Sequence, residues 1–181
     1  RPGEFDTNAQ MPLRSRVRFG LNGPSSRFLF EGQDSRSLGT DPGEFTDNRL
    51  ENTTDVVQLL GSFTLHNVLG TGLRTDMHIG RMTMDFGRRR YVARNDFRNT
   101  TNSFNGVHWQ VARENAWRLR AFFTLPTILR EQRADTFDTD FAFWGTYYET
   151  QQMPWIHTNL YYFGLNDQRS TSTKHRQLHT F

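Results

Sequence analysis

The sequence predicts an all-β chain, an antiparallel transmembrane β-barrel of which roughly nine or ten strands are present. Three observations predict it. Apolar residues recur with period 2 along most of the 181 residues, the period of a strand with two unlike faces. The connections between these segments are polar and rich in turn formers. The polar face carries arginine rather than the mixed Lys, Glu, Ser and Thr of a sheet open to water.

The segments justify themselves in order. In 13–21 (LRSRVRFGL), Leu13, Val17, Phe19 and Leu21 share one parity while Arg14, Arg16 and Arg18 take the other. A helix would scatter these arginines around its circumference. Residues 27–33 form the next strand. In 56–66, Val57, Leu59, Phe63 and Leu65 oppose Gln58, Ser62, Thr64 and His66. Strands follow at 73–82 and 88–95. At 105–111, Val107, Trp109 and Val111 oppose Gly106, His108 and Gln110. Segment 117–125 sets Trp117, Leu119, Ala121, Phe123 and Leu125 against Arg118, Arg120 and Thr124. Further strands are expected at 140–149, at 155–163 and from about Arg176. Residues 34–55 form the longest loop, 68–73 (VLGTGL) a tight turn, and 126–139 a loop with a short helical turn in TILREQRA.

Composition narrows the function. The formal charge is +3, and of the 22 basic residues all but Lys174 are arginine, a permanent charge with a planar fork suited to carboxylate or phosphate. An anionic partner follows. Cysteine is absent, which excludes disulfides, thiolate metal sites and cysteine nucleophiles. A mean hydropathy of −0.74 and the lack of any apolar run near helix-spanning length exclude a transmembrane helix, yet 14% of the residues are aromatic, so something packs against an apolar phase. The opening RPGEFDTNAQ shows neither an initiator Met nor an apolar leader, and reads as a mature protein or a fragment.

Energy orients the sheet. An arginine on the lipid face near midplane costs about 2–4 kcal/mol, so Arg14, Arg16 and Arg18 must face the interior, with Trp117, Phe19, Phe28 and Phe123 outward as girdle residues. Arg81 breaks this pattern by sharing the parity of Leu73, Met77 and Ile79; a bulge at Gly80 would turn it inward. Enzyme signals are weak. His175 and His179 have helical metal-ligand spacing in an extended region with no third ligand, Asp138 and Asp140 read as turn residues, and Gly70 and Gly72 lack the rest of a phosphate loop. The Asn52 and Asn99 sequons carry no meaning in a bacterial outer membrane.

The run 79–109, IGRMTMDFGRRRYVARNDFRNTTNSFNGVHW, resembles the signature region of the alginate export family of outer-membrane β-barrels, and FLFEGQDSR at 28–36 is similar to that family's early strand. The resemblance implies a barrel of about eighteen strands passing an anionic polysaccharide through an Arg-rich lumen in a Gram-negative outer membrane. This chain would be its N-terminal portion, a single unit over 1–181 lacking the closing strands, with Asn105 in place of a usual Asp. Carried across, Arg81, Arg89, Arg90, Arg94 and Arg98, with Glu31 and Arg36, are candidates for the lumen or its rim. Parity adds Arg14, Arg16, Arg18, Arg118 and Arg120, and Asp76 joins Glu31 as an acid holding arginines in place. The implied partners are an anionic, alginate-like polysaccharide, outer-membrane lipid and periplasmic export components, without nucleic acid, cofactor or catalysis. Two other readings fit the residues: a soluble β-rich module for polyanions or nucleic acid, and a small structural barrel without a pore.

Overall fold

The computed structural model describes residues 11–38, 51–87, 89–90, 92–95, 98–130, 134–153, 156–168 and 176–181. They form strands β1 (Met11–Asn22), β2 (Ser26–Leu38), β3 (Asn52–Leu65), β4 (Arg74–Met82), β5 (Phe104–Arg113), β6 (Trp117–Ile128), β7 (Thr136–Phe137), β8 (Phe141–Met153), β9 (Ile156–Asp167) and β10 (Arg176–Thr180). All ten belong to one antiparallel sheet in the order β1-β2-β3-β4-β5-β6-β8-β9-β10, with β7 paired to β6 alone. The sheet is open, as a partial barrel would be.

The two faces divide as the alternation predicts. Leu13, Val17, Phe19, Leu21, Leu59, Phe63, Ile79, Trp109 and Phe123 are exposed, Val17 to 67%. On the opposite face Glu31, Gln33, Ser35, Gln58, Ser62, Asp76 and Thr124 are buried. Exposed apolar rows backed by buried polar ones are the reverse of a sheet in water, where the apolar face seeks the core.

Several expectations need correction. The described residues of 88–95 do not form a strand; Val92 makes an isolated bridge to Phe86 within a long connection from β4 to β5. The segment read as a helical turn continues β6 as far as Ile128, and residues 131–133 lie outside the described set, as do 39–50 of the longest loop. The tight turn holds a 3-10 turn at Val68–Gly70. Val57, assigned to the outward row, is buried. The cause is a slip between β2 and β3, where Glu31 opposes Gln58 but Gly32 opposes Val56, leaving Val57 as an extra residue.

The bulge expected at Gly80 is not there. Register runs unbroken through Leu60–Gly80–Gly106 and on to Arg81. Gly80 instead takes φ 126°, a region that glycine enters without steric conflict; a Cβ there would run into the Leu59 carbonyl. Arg81 is nevertheless sheltered from lipid: its guanidinium reaches Asp55 at 3.2 Å and Asp135 at 3.0 Å, and its Nε donates to Ser103.

The β4–β5 connection, residues 83–103, positions the site. Met84, Phe86 and Val92 from it form one buried cluster with Leu29 of β2, Leu60 of β3, Met82 of β4, Phe122 of β6, Tyr147 of β8 and Phe163 of β9. Strands β2 and β9 stand six places apart in the sheet, roughly 29 Å if it were flat at about 4.8 Å per strand. Side chains from both can join one cluster because the sheet curls around the connection. At Gly80, alanine is expected to destabilise the fold by about 1–3 kcal/mol through its φ and the Leu59 contact, seen as a lowered unfolding midpoint in detergent, with Gly61→Ala as a control whose added Cβ meets nothing within 4 Å.

Candidate functional site

The inner face is built around shared carboxylates. Glu31, 1% exposed, receives the Arg94 guanidinium from the connection, Arg16 Nε of β1 at 3.2 Å and Gln58 Nε2 of β3 at 2.6 Å. Arg16 also donates to Gln33 Oε1 at 2.7 Å and to Thr101 at 3.1 Å. One buried anion thus holds two cations and an amide, satisfying its lone pairs without water. The arrangement exists because β1 and β2 pair Arg18 with Glu31 and Arg16 with Gln33, while the connection brings Arg94 down from above.

A second acid repeats the motif. Glu149 of β8 takes Arg118 at 3.1 Å and Arg120 at 3.1 Å, both from β6. Arg120 also stacks its guanidinium 4.9 Å from the Phe86 ring centroid and 5.4 Å from that of Tyr147, and donates to the Asp85 carbonyl at 3.0 Å. It serves the wall and the connection together. Asp76, also buried, binds Arg74 at 2.8 Å, the Thr64 hydroxyl at 2.7 Å and Gln110 Nε2 at 3.1 Å.

The other expected positions separate. Arg14 donates to the Arg98 carbonyl at 3.0 Å, and the Arg98 side chain is exposed. Arg89 faces Asp85 at 3.5 Å and Arg90 closes a turn onto the Gly87 carbonyl; both are exposed. Arg36 stands opposite Leu13 near the ends of β1 and β2, on the parity of the outward row, and binds Asp34 at 3.0 Å. Asn105 donates to Thr127 at 3.0 Å. Arg18 joins Arg27, His78, His108, Asp85 and Arg120 around a recess of about 280 Å³ between wall and connection. His78 and His108 stack there at 5.4 Å, and the Ser62 hydroxyl and His78 Nδ1 are hydrogen-bonded at 2.8 Å.

Sequence reasoning missed Arg27, the histidine pair and the Asp55–Arg81–Asp135 cluster. It also missed the inward rings Phe122, Tyr147 and Phe163, whose signal was the aromatic doublets Phe122–Phe123, Tyr147–Tyr148 and Tyr162–Phe163. In a strand, such doublets put one ring on each face. No group of His, Asp and Glu arranged to hold a metal ion occurs among the described residues. His175 lies outside them, and His179 stacks on Tyr162. Asp138 accepts from the Asp140 amide at 3.0 Å, a turn contact.

Asp135, in the connection between β6 and β8, is pushed up to about 7 by burial and by its hydrogen bond to the neighbouring Asp55 carboxylate. A raised carboxyl means that the folded state retains a proton which the unfolded chain releases near its ordinary 3.8. Its stabilising share is therefore full below about pH 4 and lost as pH rises through about 7. Asp135→Asn is expected to flatten this part of the pH profile of unfolding between pH 4 and 7. At Glu31, Gln would leave two guanidiniums without their anion; the expected loss is about 3–5 kcal/mol, read from denaturant unfolding in detergent at neutral pH.

No curated protein and no solved structure gave a match. The profile described as alginate export matches residues 7–181. With an antiparallel ten-stranded sheet that is apolar outside and polar within, and with almost its whole length matched, the chain belongs to the alginate export family, outer-membrane β-barrel proteins of polysaccharide export.

Proposed function

We propose that this chain forms part of an outer-membrane channel that passes an anionic, alginate-like polyuronate along its arginine-bearing inner face. The observation that carries the reading is the division of the faces. Arginines Arg14, Arg16, Arg18, Arg94, Arg118 and Arg120 lie on the side of the buried polar rows, and exposed aliphatic and aromatic residues form the other side. Lipid suits the second face, and the aqueous cargo meets the first. The ten strands are a portion of a larger barrel, of about eighteen strands, completed by segments beyond these residues.

Passage needs no covalent chemistry. A uronate carboxylate about 5 Å from a guanidinium gains about 3 kcal/mol at an effective dielectric near 20, before desolvation. Many such modest contacts favour entry and still allow release, where one deep site would trap the polymer. The acids Glu31, Glu149 and Asp76 fix the guanidiniums and moderate the field. Arg18 and Arg27 line the recess and offer their charge to the cargo.

Connection lengths orient the molecule. The chain turns tightly at 23–25 and 114–116 and takes long connections at 39–51, 83–103 and 129–140. Short turns belong to the periplasmic side and long loops to the outside, so periplasmic export components would deliver the polymer at the end where 23–25 and 114–116 lie. Planar-bilayer recording of the complete protein tests the reading. Arg18→Glu with Arg27→Glu is expected to abolish anion preference and weaken block by oligouronates about tenfold or more; unchanged preference and block would overturn it.

A further inference from the structure

We propose that residues 134–140, the return stretch of the β6–β8 connection, are a strap buckled across the rim of the sheet by a carboxyl pair, Asp135 with Asp55, which holds while it keeps one proton and opens when that proton leaves. The inference goes beyond the channel reading: it concerns how an outer connection is held, whatever the cargo.

Topology shows the strap first. Strands β6 and β8 are neighbours, and a connection between them could stay above those two. Thr136 and Phe137 do pair with Ile128 and Thr127 of β6. Asp135, one residue earlier, instead reaches β4 and β3, two and three places away from β6 in the sheet. Its amide donates to Asp55 Oδ2 at 3.2 Å, and its own Oδ2 accepts from Asn52 Nδ2 at 3.0 Å and from the Arg81 guanidinium at 3.0 Å. The Arg130 amide donates to its Oδ1 at 2.8 Å. Ala134, Phe137 and Thr139 are exposed, while the Asp135 side chain is 2% exposed. A buried carboxyl in a stretch whose neighbours lie open is an anchor.

The charge on that anchor is balanced by one proton. Asp55 and Asp135, both buried, face a single guanidinium, Arg81. Two ionised carboxylates would leave a net negative charge where water does not reach, and like charges sharing a site keep a proton that an isolated aspartate gives up. Burial and Asp55 accordingly hold Asp135 up to about 7. The remaining groups do not titrate against it: Asn52 of β3 is an amide, Ser103 of the β4–β5 connection holds Arg81 Nε at 3.0 Å, and Gln33 of β2 stands opposite Asp55. Asp34 of β2 is occupied by Arg36 and by the Thr54 amide at 3.3 Å, and Arg130 is exposed. Below about pH 7 the pair carries one negative charge against Arg81 and the strap is down; above it the second charge repels the first and Asp135 lifts away. With the long connections facing outside, the buckle answers to external pH.

The test is a nitroxide on Ala134→Cys, the sole cysteine of the complete protein in detergent, with spectra recorded from about pH 5.5 to about 8.5. The strap predicts a change from an immobile to a mobile line shape with its midpoint near pH 7. A label on Leu69→Cys, 94% exposed on the turn at the opposite end of the sheet, is expected to stay unchanged. Asp135→Asn keeps a hydrogen-bonding group without an acid. Asp55→Asn leaves Asp135 beside Arg81 with no second carboxylate, which moves its titration to about 4 or below. Both variants are expected to hold the label immobile throughout, with a heat-modifiable folded band on gels showing that each barrel forms. A single line shape at Ala134→Cys across the whole range would overturn the proposal, and so would a midpoint near 7 that persists in Asp135→Asn. None of these spectra depends on cargo, so unchanged anion preference in the Arg18 and Arg27 variant would sink the channel's assigned cargo and leave the strap standing.

Discussion

The interior depends on a single carboxylate placed where water does not reach. Glu31 sits on β2 with its side chain buried, and a lone anion there would be untenable. Arg16 from the neighbouring strand and Arg94 from the β4–β5 connection make it tenable together. Because the two guanidiniums come from elements far apart in sequence, the anion's need for partners draws the connection onto the wall. The seat of Phe86, the stitching of Asn99 and the recess beside Arg18 all follow from that placement.

The ratio of acids to arginines gives the inner face its sign. Glu31 serves Arg16 and Arg94, and Glu149 serves Arg118 and Arg120, so each cluster keeps a surplus positive charge while every guanidinium in it is held in place. Near the long connections Asp55 and Asp135 share Arg81, and the proton that Asp135 retains up to about pH 7 leaves one net negative charge against one guanidinium. In the Glu31 and Glu149 clusters the surplus charge is positive and its geometry is fixed by ion pairs, a local excess that the modest formal charge of the chain, +3, does not reveal.

Much of the sheet was legible in the sequence, for a physical reason. Where one face meets an apolar phase and the other carries arginine, the contrast between alternate residues is as large as side-chain chemistry permits, and 13–21 and 117–125 stand out. The pattern misled at 88–95, where a run of arginines meets Tyr91 and Val92; the described Val92 packs in the buried cluster and not in a strand of the sheet. Local alternation records that a residue has two unlike surroundings and says nothing about which element supplies them. Arg81 shows a further limit: its parity is that of the outward row, yet its guanidinium is held by Asp55 and Asp135, and where a long side chain reaches leaves no trace in the hydropathy pattern. The buried rings of Phe122 and Tyr147 were hidden behind outward neighbours of the same type.

The placement of the β4–β5 connection constrains how such a protein can assemble. Its residues touch β1 and β2 on one flank and β8 and β9 on the other, so it can fill its place only once strands from both flanks are present. Final packing of this internal piece draws on strands far apart in the sequence, which ties the curvature of the wall to what lies inside it.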